Sequence, residues 1–302
     1  MASFGFMVIR GLFAVAEQVA PRLTGRAAFE LFSRTRPANR LSDKERDALE
    51  RSAAFMAEAR RHRLCPEREC VVAYDFAPAG GTRRAPRVLV LHGWGSRAAH
   101  LSGIIRSLSE AGFRVIALDL PGHGESGGRR LNMATAVRAV HAADQWFGPF
   151  AAIVGHSFGG AVAANAIVGS IKGVEPVRAG RLVMVSAPSS MPAIFRDFSD
   201  FLNLGVRAQL ALAARVHELT GRPLEDFVVA NQLAERPLPA LVIHAPDDKE
   251  VPAAEAESLA RAGGHVQLRW APGLGHRRIL ADAGVAQSIV AFLTEPQLAE
   301  VS

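Results

Sequence analysis

From residue 70 onward the chain alternates between two hydrophobic periods. Short apolar runs at 71–76, 88–91, 115–118, 151–154, 182–185, 241–243 and 266–270 predict β-strands. Between them, residues 100–111, 133–146, 161–168, 253–262 and 283–293 space their apolar positions as helices do. A continuous apolar strand such as 88–91 is expected to be buried on both faces. Strands alternating with helices predict a mainly parallel sheet covered on both sides. In such sheets ligands bind beyond the carboxyl ends of the strands.

Two segments depart from this alternation. Residues 189–237 show no strand pattern, and their Phe195, Phe198, Leu202, Leu210, Leu212 and Val216 are spaced for short helices. They predict a helical cap inserted between two strands, with ordinary crossover helices as the alternative. Near the start, Ser42-Asp43-Lys44-Glu45 forms a capping box, which predicts a helix from there to about residue 62 and a mostly helical first 64 residues. The expected division is an N-terminal helical extension (1–68), the first part of an α/β core (69–188), the cap (189–237) and the rest of the core (238–302).

Residues 4–16 are largely apolar but are interrupted by Arg10 and ended by Glu17. The stretch is too short to span a bilayer and lacks the basic start and unbroken apolar run of a secretory signal. It suits an amphipathic helix packed on the domain, or a peripheral membrane contact through Phe4, Phe6, Val8, Leu12 and Phe13.

Composition narrows the class without identifying it. A chain of 302 residues, 49% hydrophobic and 21% charged, has the make-up of a globular enzyme with a full core. The net charge of +6 is carried by arginine, since Lys44, Lys172 and Lys249 are the only lysines. Arginine pairs at 60–61, 83–84, 129–130 and 277–278 are scattered, with no long basic run and no interleaved aromatic platform, which argues against a nucleic-acid partner. The two cysteines, Cys65 and Cys70, lack the second ligand pair of a structural zinc site. They read as free thiols of a reducing, cytoplasmic protein, a short disulfide being the alternative; no metal or cofactor is expected.

The chemistry lies in Gly155-His156-Ser157-Phe158-Gly159, between an apolar strand and a helix of small residues. Glycine two residues to either side of a serine permits a sharp strand-to-helix turn, projects the serine oxygen above the sheet and leaves the Phe158 N–H facing a developing oxyanion. Alone, this pattern arises by chance in about one chain in ten of this length; the strand and helix around it supply the context it requires. An activated serine needs a base, and the base an orienting acid. His276, in a glycine-rich loop after the last strand, is the expected base. Asp247 and Asp248 both follow the strand at 241–243, and spacing does not choose between them. Gly93 and Gly95 shape the loop after 88–91, where the Trp94 N–H is the expected second oxyanion donor. His92, Gly93 and His156 are assigned to the substrate pocket, although His92 equally suits the packing of its own loop.

Together these motifs resemble the α/β-hydrolase fold superfamily of serine hydrolases. The resemblance rests on His92-Gly93-Trp94-Gly95, Asp119-Leu120-Pro121-Gly122-His123-Gly124-Glu125-Ser126, the elbow, His244 to Pro252, and Gly275-His276, in that order. It implies a mostly parallel central sheet with helices on both faces and a small helical cap. The superfamily pattern H-G-x-x-D-x-x-V-P places the acid at Asp248, with Ala245 standing where the pattern has glycine. The first sixty-odd residues resemble the helical extension of a group of bacterial α/β-hydrolases without assigned substrate. The implied activity is hydrolysis of a small-molecule carboxylic ester or thioester with an apolar portion. Acyl transfer, peptidase or perhydrolase chemistry on the same triad, and a non-catalytic small-molecule sensor, are the alternatives.

Overall fold

A computed structural model describes residues 4–37, 40–67, 69–81 and 84–295, with side chains from residue 8. Helices α1 (Phe4–Val19), α2 (Pro21–Ser33) and α3 (Asp43–Ala57) come first, then strands β1 (Arg60–Leu64), β2 (Val71–Phe76) and β3 (Arg87–Leu91). A 3-10 turn leads into α4 (Ser102–Glu110), followed by β4 (Arg114–Leu118), α5 (Met133–Phe147), β5 (Ala152–His156), α6 (Phe158–Val168) and β6 (Leu182–Val185). The next three helices are α7 (Met191–Leu202), α8 (Val206–Thr220) and α9 (Val229–Glu235). After them come β7 (Ala240–His244), α10 (Ala253–Ala260), β8 (Val266–Trp270), α11 (Gly275–Arg278) and α12 (Ala283–Thr294).

The strands form one sheet in the order β1-β2-β4-β3-β5-β6-β7-β8. β1–β2 and β2–β4 are antiparallel, and from β4 to β8 every pairing is parallel. Alternate strand residues feed two separate cores. Leu89, Leu91, Ile116, Leu118 and Ile153 pack toward α5, α6 and the α7–α9 layer, whereas Val88, Val90, Val115, Ala117 and Val154 pack toward α3, α4 and α12.

Two expectations are corrected here. The helix that starts at the Ser42 capping box ends at Ala57, and Arg60–Leu64, placed in the helical extension, is the edge strand of the sheet. Arg60-Arg61-His62-Arg63 carries no apolar signal because an edge strand is kept charged and largely wet. His62 lies 3.4 Å from Asp75 of β2, and Arg61 3.6 Å from Glu125. Cys65 and Cys70 are joined in a disulfide, not free. The β1–β2 hairpin sets Leu64 opposite Val71, which brings the two flanking cysteines together. With this goes the thiol argument for a reducing compartment.

The N-terminal helices lie over the segment between β6 and β7. α2 crosses α8 closely at Gly25, where a Cβ would collide with the Ala208 carbonyl and stand 2.7 Å from Ala211 Cβ. Phe29 and Phe195 stack at 6.2 Å, and Phe32 meets Phe195 at 4.6 Å and Phe198 at 5.1 Å. α1 is tied down by Glu17, which accepts the Gly205 N–H, and by half-buried Phe13. Its outer side keeps Leu12, Val15 and Val19 at 63%, 69% and 84% exposure. The side chains of Phe4 and Phe6 lie outside the described residues. No helix among the described residues is long and apolar enough to cross a membrane.

The α2–α8 crossing depends on the missing side chain at Gly25. Gly25→Val should overpack it by about 1–3 kcal/mol and lower Tm by roughly 2–4 °C per kcal/mol. Thermal unfolding by circular dichroism tests this; an unchanged Tm would mean the helices separate at no cost.

Candidate active site

The elbow is built by close backbone packing. Ser157 joins β5 to α6 with φ 52° and ψ −127°, a conformation that non-glycine residues rarely adopt. A Cβ on Gly155 would collide with the Gly159 carbonyl oxygen, and one on Gly159 would stand 2.5 Å from the His92 carbonyl oxygen and 2.6 Å from that of Leu91. The steric reason for both glycines is therefore visible. The serine is held by its N–H, which donates to Val185 O at 2.8 Å, and by its carbonyl, which accepts from Gly160 N–H at 2.9 Å.

Four strand ends converge here. β3 delivers His92 to Gly95, β5 delivers Ser157, the turn after β7 delivers Asp248, and the loop after β8 leads to His276. His276 sits in the short helix α11 and not in an open loop as expected. Its Nδ1 is 2.8 Å from Asp248 Oδ2, and both residues are 9% exposed. Asp248 Oδ1 accepts the N–H groups of Glu250 (2.8 Å) and Val251 (2.9 Å). Burial opposes the Asp248 charge, but the Val251 N–H, the His276 ring and the Glu250 N–H outweigh it and hold the carboxyl below its ordinary value. Asp247 faces elsewhere: it is exposed and accepts the Gly273 N–H at 2.7 Å. The structure thus pairs His276 with Asp248, a choice that spacing left open.

Trp94 and Phe158, the residues assigned the oxyanion N–H groups, lie side by side with their rings edge to face at 5.4 Å. Phe158 opens α6, where a helix leaves its first N–H groups without an intrahelical acceptor. Gly93 stands over Ser157, so that a Cβ there would lie 2.8 Å from Ser157 Cβ and 3.1 Å from His156 Nδ1.

His92 and His156, assigned to the substrate pocket, are both buried and bonded to neighbouring backbone. His92 is fully buried; its Nδ1 contacts Gly93 O at 2.7 Å and its Nε2 accepts the Leu120 N–H at 2.9 Å. Burial holds it well below the ordinary histidine value, so it is neutral and holds its loop. His156 is also buried, and its Nε2 donates to the His276 carbonyl at 2.9 Å. Burial first, then the adjacent His276, brings its pKa down to about 3. It anchors the backbone of the residue paired with Asp248.

Two further groups lie within the sequence motifs but carry no role there. His123 Nε2 accepts the Gly95 N–H at 2.9 Å, while its Nδ1 lies 3.0 Å from Pro121 O. With the His92–Leu120 contact it locks the loop after β3 to the loop after β4. Asp119 is buried beneath them, accepting from the N–H groups of Ala98 and Glu125 (2.8 Å each) and from the Tyr74 hydroxyl (3.1 Å). The signal was Asp119-Leu120-Pro121-Gly122-His123-Gly124 itself, whose regular spacing carried no hint of the contact made across the sheet edge. The second group is Glu250, whose Oε2 is 3.8 Å from His276 Nε2 and whose other oxygen accepts from Arg277 at 3.0 Å. Among the arginine pairs, Arg130 is bound to Glu30 at 2.8 Å.

Gly93→Ala should cut turnover sharply while the protein stays folded, because the added methyl must displace Ser157 or His156. Steady-state rates beside a circular dichroism spectrum check this; wild-type rates in Gly93→Ala would show that Ser157 is not tightly overlaid.

The comparisons with known proteins agree with this architecture. Residues 88–288 match the model of the alpha/beta hydrolase family, two thirds of the chain, and the protein belongs to that family. It is 31% identical over 233 residues to a dihydrolipoyllysine-residue acetyltransferase component of an acetoin cleaving system from Cupriavidus necator, the match covering 64% of this chain and 62% of that one. The chain thus spans about three fifths of that relative's length. It is 26% identical over 240 residues to a pimeloyl-[acyl-carrier protein] methyl ester esterase from Nitrosomonas europaea, covering 66% of this chain and 92% of that one. Est1E of Butyrivibrio proteoclasticus, solved with ferulic acid, superposes with a TM-score of 0.62 at 17% identity, over 78% of this chain and all of that one, and so shares the fold.

Proposed function

We propose that this alpha/beta hydrolase cleaves a carboxylic ester or thioester through Ser157, His276 and Asp248. The observation that carries the reading is the 2.8 Å contact of His276 Nδ1 with a buried Asp248, the His276 ring packed against His156, the residue that precedes Ser157 in a strained elbow. Asp248 fixes the imidazole with its proton on Nδ1, so that Nε2 accepts the Ser157 proton as the serine oxygen bonds to the substrate carbonyl carbon. The negative charge that forms on the carbonyl oxygen meets the N–H groups of Trp94 and Phe158. Collapse of the tetrahedral intermediate breaks the bond to the alcohol or thiol, which leaves with the proton held by His276. Water, deprotonated by the same imidazole, attacks the acyl-serine, and the acid departs as the Ser157 hydroxyl is restored. Acyl transfer differs only in which nucleophile accepts the acyl group in that last step. The resemblance to a chain named as an acetyltransferase component favours it as the second reading.

Nitrophenyl esters of short acids should be hydrolysed by the wild type and not by Ser157→Ala. Asp248→Asn should lower turnover by roughly 10⁴, the scale of the corresponding change in a serine protease, and Asp247→Asn far less. Equal rates in wild type and Ser157→Ala, or a larger loss in Asp247→Asn, would overturn the assignment.

We further propose that α1 rests on a membrane surface. Val8, Leu12, Val15 and Val19 fall within an arc of about 60° on the helix, while Arg10 and Glu17 lie on the opposite side. Exposed Arg22 and Arg207, beside exposed Leu23 and Val206, add positive charge suited to anionic lipid. The protein should float with vesicles containing anionic phospholipid, and Leu12→Glu with Val15→Glu should abolish this. Dimerisation without vesicle binding would instead assign the face to a second copy.

A further inference from the structure

An apolar cavity lined in part by Phe158, the residue after Ser157, lies between the core and the helices above it. Its walls include Phe29 and Phe32 from α2, Phe195 from α7, Leu219 from α8, and Phe227. No charged side chain lines it. Its two polar side chains are already engaged: Asn132 Oδ1 accepts the Thr135 N–H at 3.0 Å, and the Thr220 hydroxyl donates to Val216 O at 2.8 Å. The cavity therefore offers an almost wholly apolar contact surface, which suits an uncharged aliphatic or aromatic group and penalises a charged one.

The space enclosed is about 20 Å³, room for about one water. Adjoining it is an open groove of about 990 Å³ lined by Glu30, Glu67, Arg129, Arg138 and Arg215 among others. Phe29, Asn132 and Leu219 line both the cavity and the groove. They are the wall between them. Asn132 caps α5 and is held by its backbone role, which leaves the Phe29 ring and the Leu219 side chain as the parts of the wall that substitution can remove.

We infer that this cavity, with room for little more than a methyl group behind Phe158, is the closed inner end of the acyl pocket and that Phe29, from the N-terminal extension, sets the length of acyl chain the pocket accepts. The inference rests on the serine hydrolase reading above. The acyl group of the substrate lies along Phe158 toward Phe29, and chains that would pass the wall are rejected because they meet the buried ring. The extension is therefore part of the specificity machinery and not an appendage. Removing the ring joins cavity to groove, so that longer chains gain a path out toward solvent.

The test uses the full chain and a series of nitrophenyl esters from acetate to dodecanoate. In the wild type, kcat/KM should fall for the long esters. Phe29→Ala should raise the ratio of kcat/KM for the dodecanoate over the butyrate ester by about tenfold, the worth of two more buried methylenes. Leu219→Ala opens the same wall from α8 and should change the ratio in the same direction, which covers the case in which Phe29→Ala does not fold. Phe29→Trp should lower it. An unchanged ratio in folded Phe29→Ala and Leu219→Ala overturns the inference. Failure of the hydrolase reading is separately visible: if no ester is turned over, titration of Ser157→Ala with decanoate, followed by tryptophan fluorescence, still reads the pocket. Binding tighter in Phe29→Ala than in the parent sustains the length limit, and equal binding removes it.

Discussion

Backbone touches backbone where β3, β5 and α6 meet, and the rest of the site depends on that contact. Gly155 and Gly159 bring the elbow against itself and against the carbonyls of Leu91 and His92 at distances no side chain permits. The strained Ser157 backbone, a cost of about 1–3 kcal/mol, persists because its N–H and carbonyl are both hydrogen-bonded and the flanking strand and helix are buried. The geometry of the proposed nucleophile is thus coupled to the core and not to a mobile loop.

Around that contact a set of buried polar groups ties the loops to one another. His92 and His123 cross-link two loops through backbone N–H groups, Asp119 collects three donors beneath them, and His156 fixes the carbonyl of His276. Leaving such a group unpaired in the interior costs about 1–3 kcal/mol, so each pairing selects one loop arrangement over its neighbours. Three of the histidines in these motifs therefore act as neutral struts, kept uncharged by burial, whereas His276 is hydrogen-bonded to the buried carboxylate of Asp248.

The N-terminal helices follow a different logic. Their inward aromatics complete an apolar layer with α7 and α8, and Phe32 reaches Trp94 of the loop after β3 at 5.5 Å. The same helices leave an apolar stripe of α1 in solvent. One segment thus combines packing over the proposed acyl pocket with an outward surface of its own.

Much of this was written in local pattern. Short apolar runs located seven of the eight strands, six of them because a strand buried on both faces must be largely apolar; the elbow was legible because sharp turns demand glycine at set positions. β1 was hidden, since a charged edge strand lacks that signal, and so was the Cys65–Cys70 disulfide, which needs the hairpin to form first. Residue types and their order determined the fold, the strand ends and the short roster of chemical groups. Only tertiary structure decided which aspartate meets His276, which histidines are struts, and that Phe29 walls a cavity also lined by Phe158, more than a hundred residues away. Those are distances between segments far apart in the chain, and no local spacing encodes them.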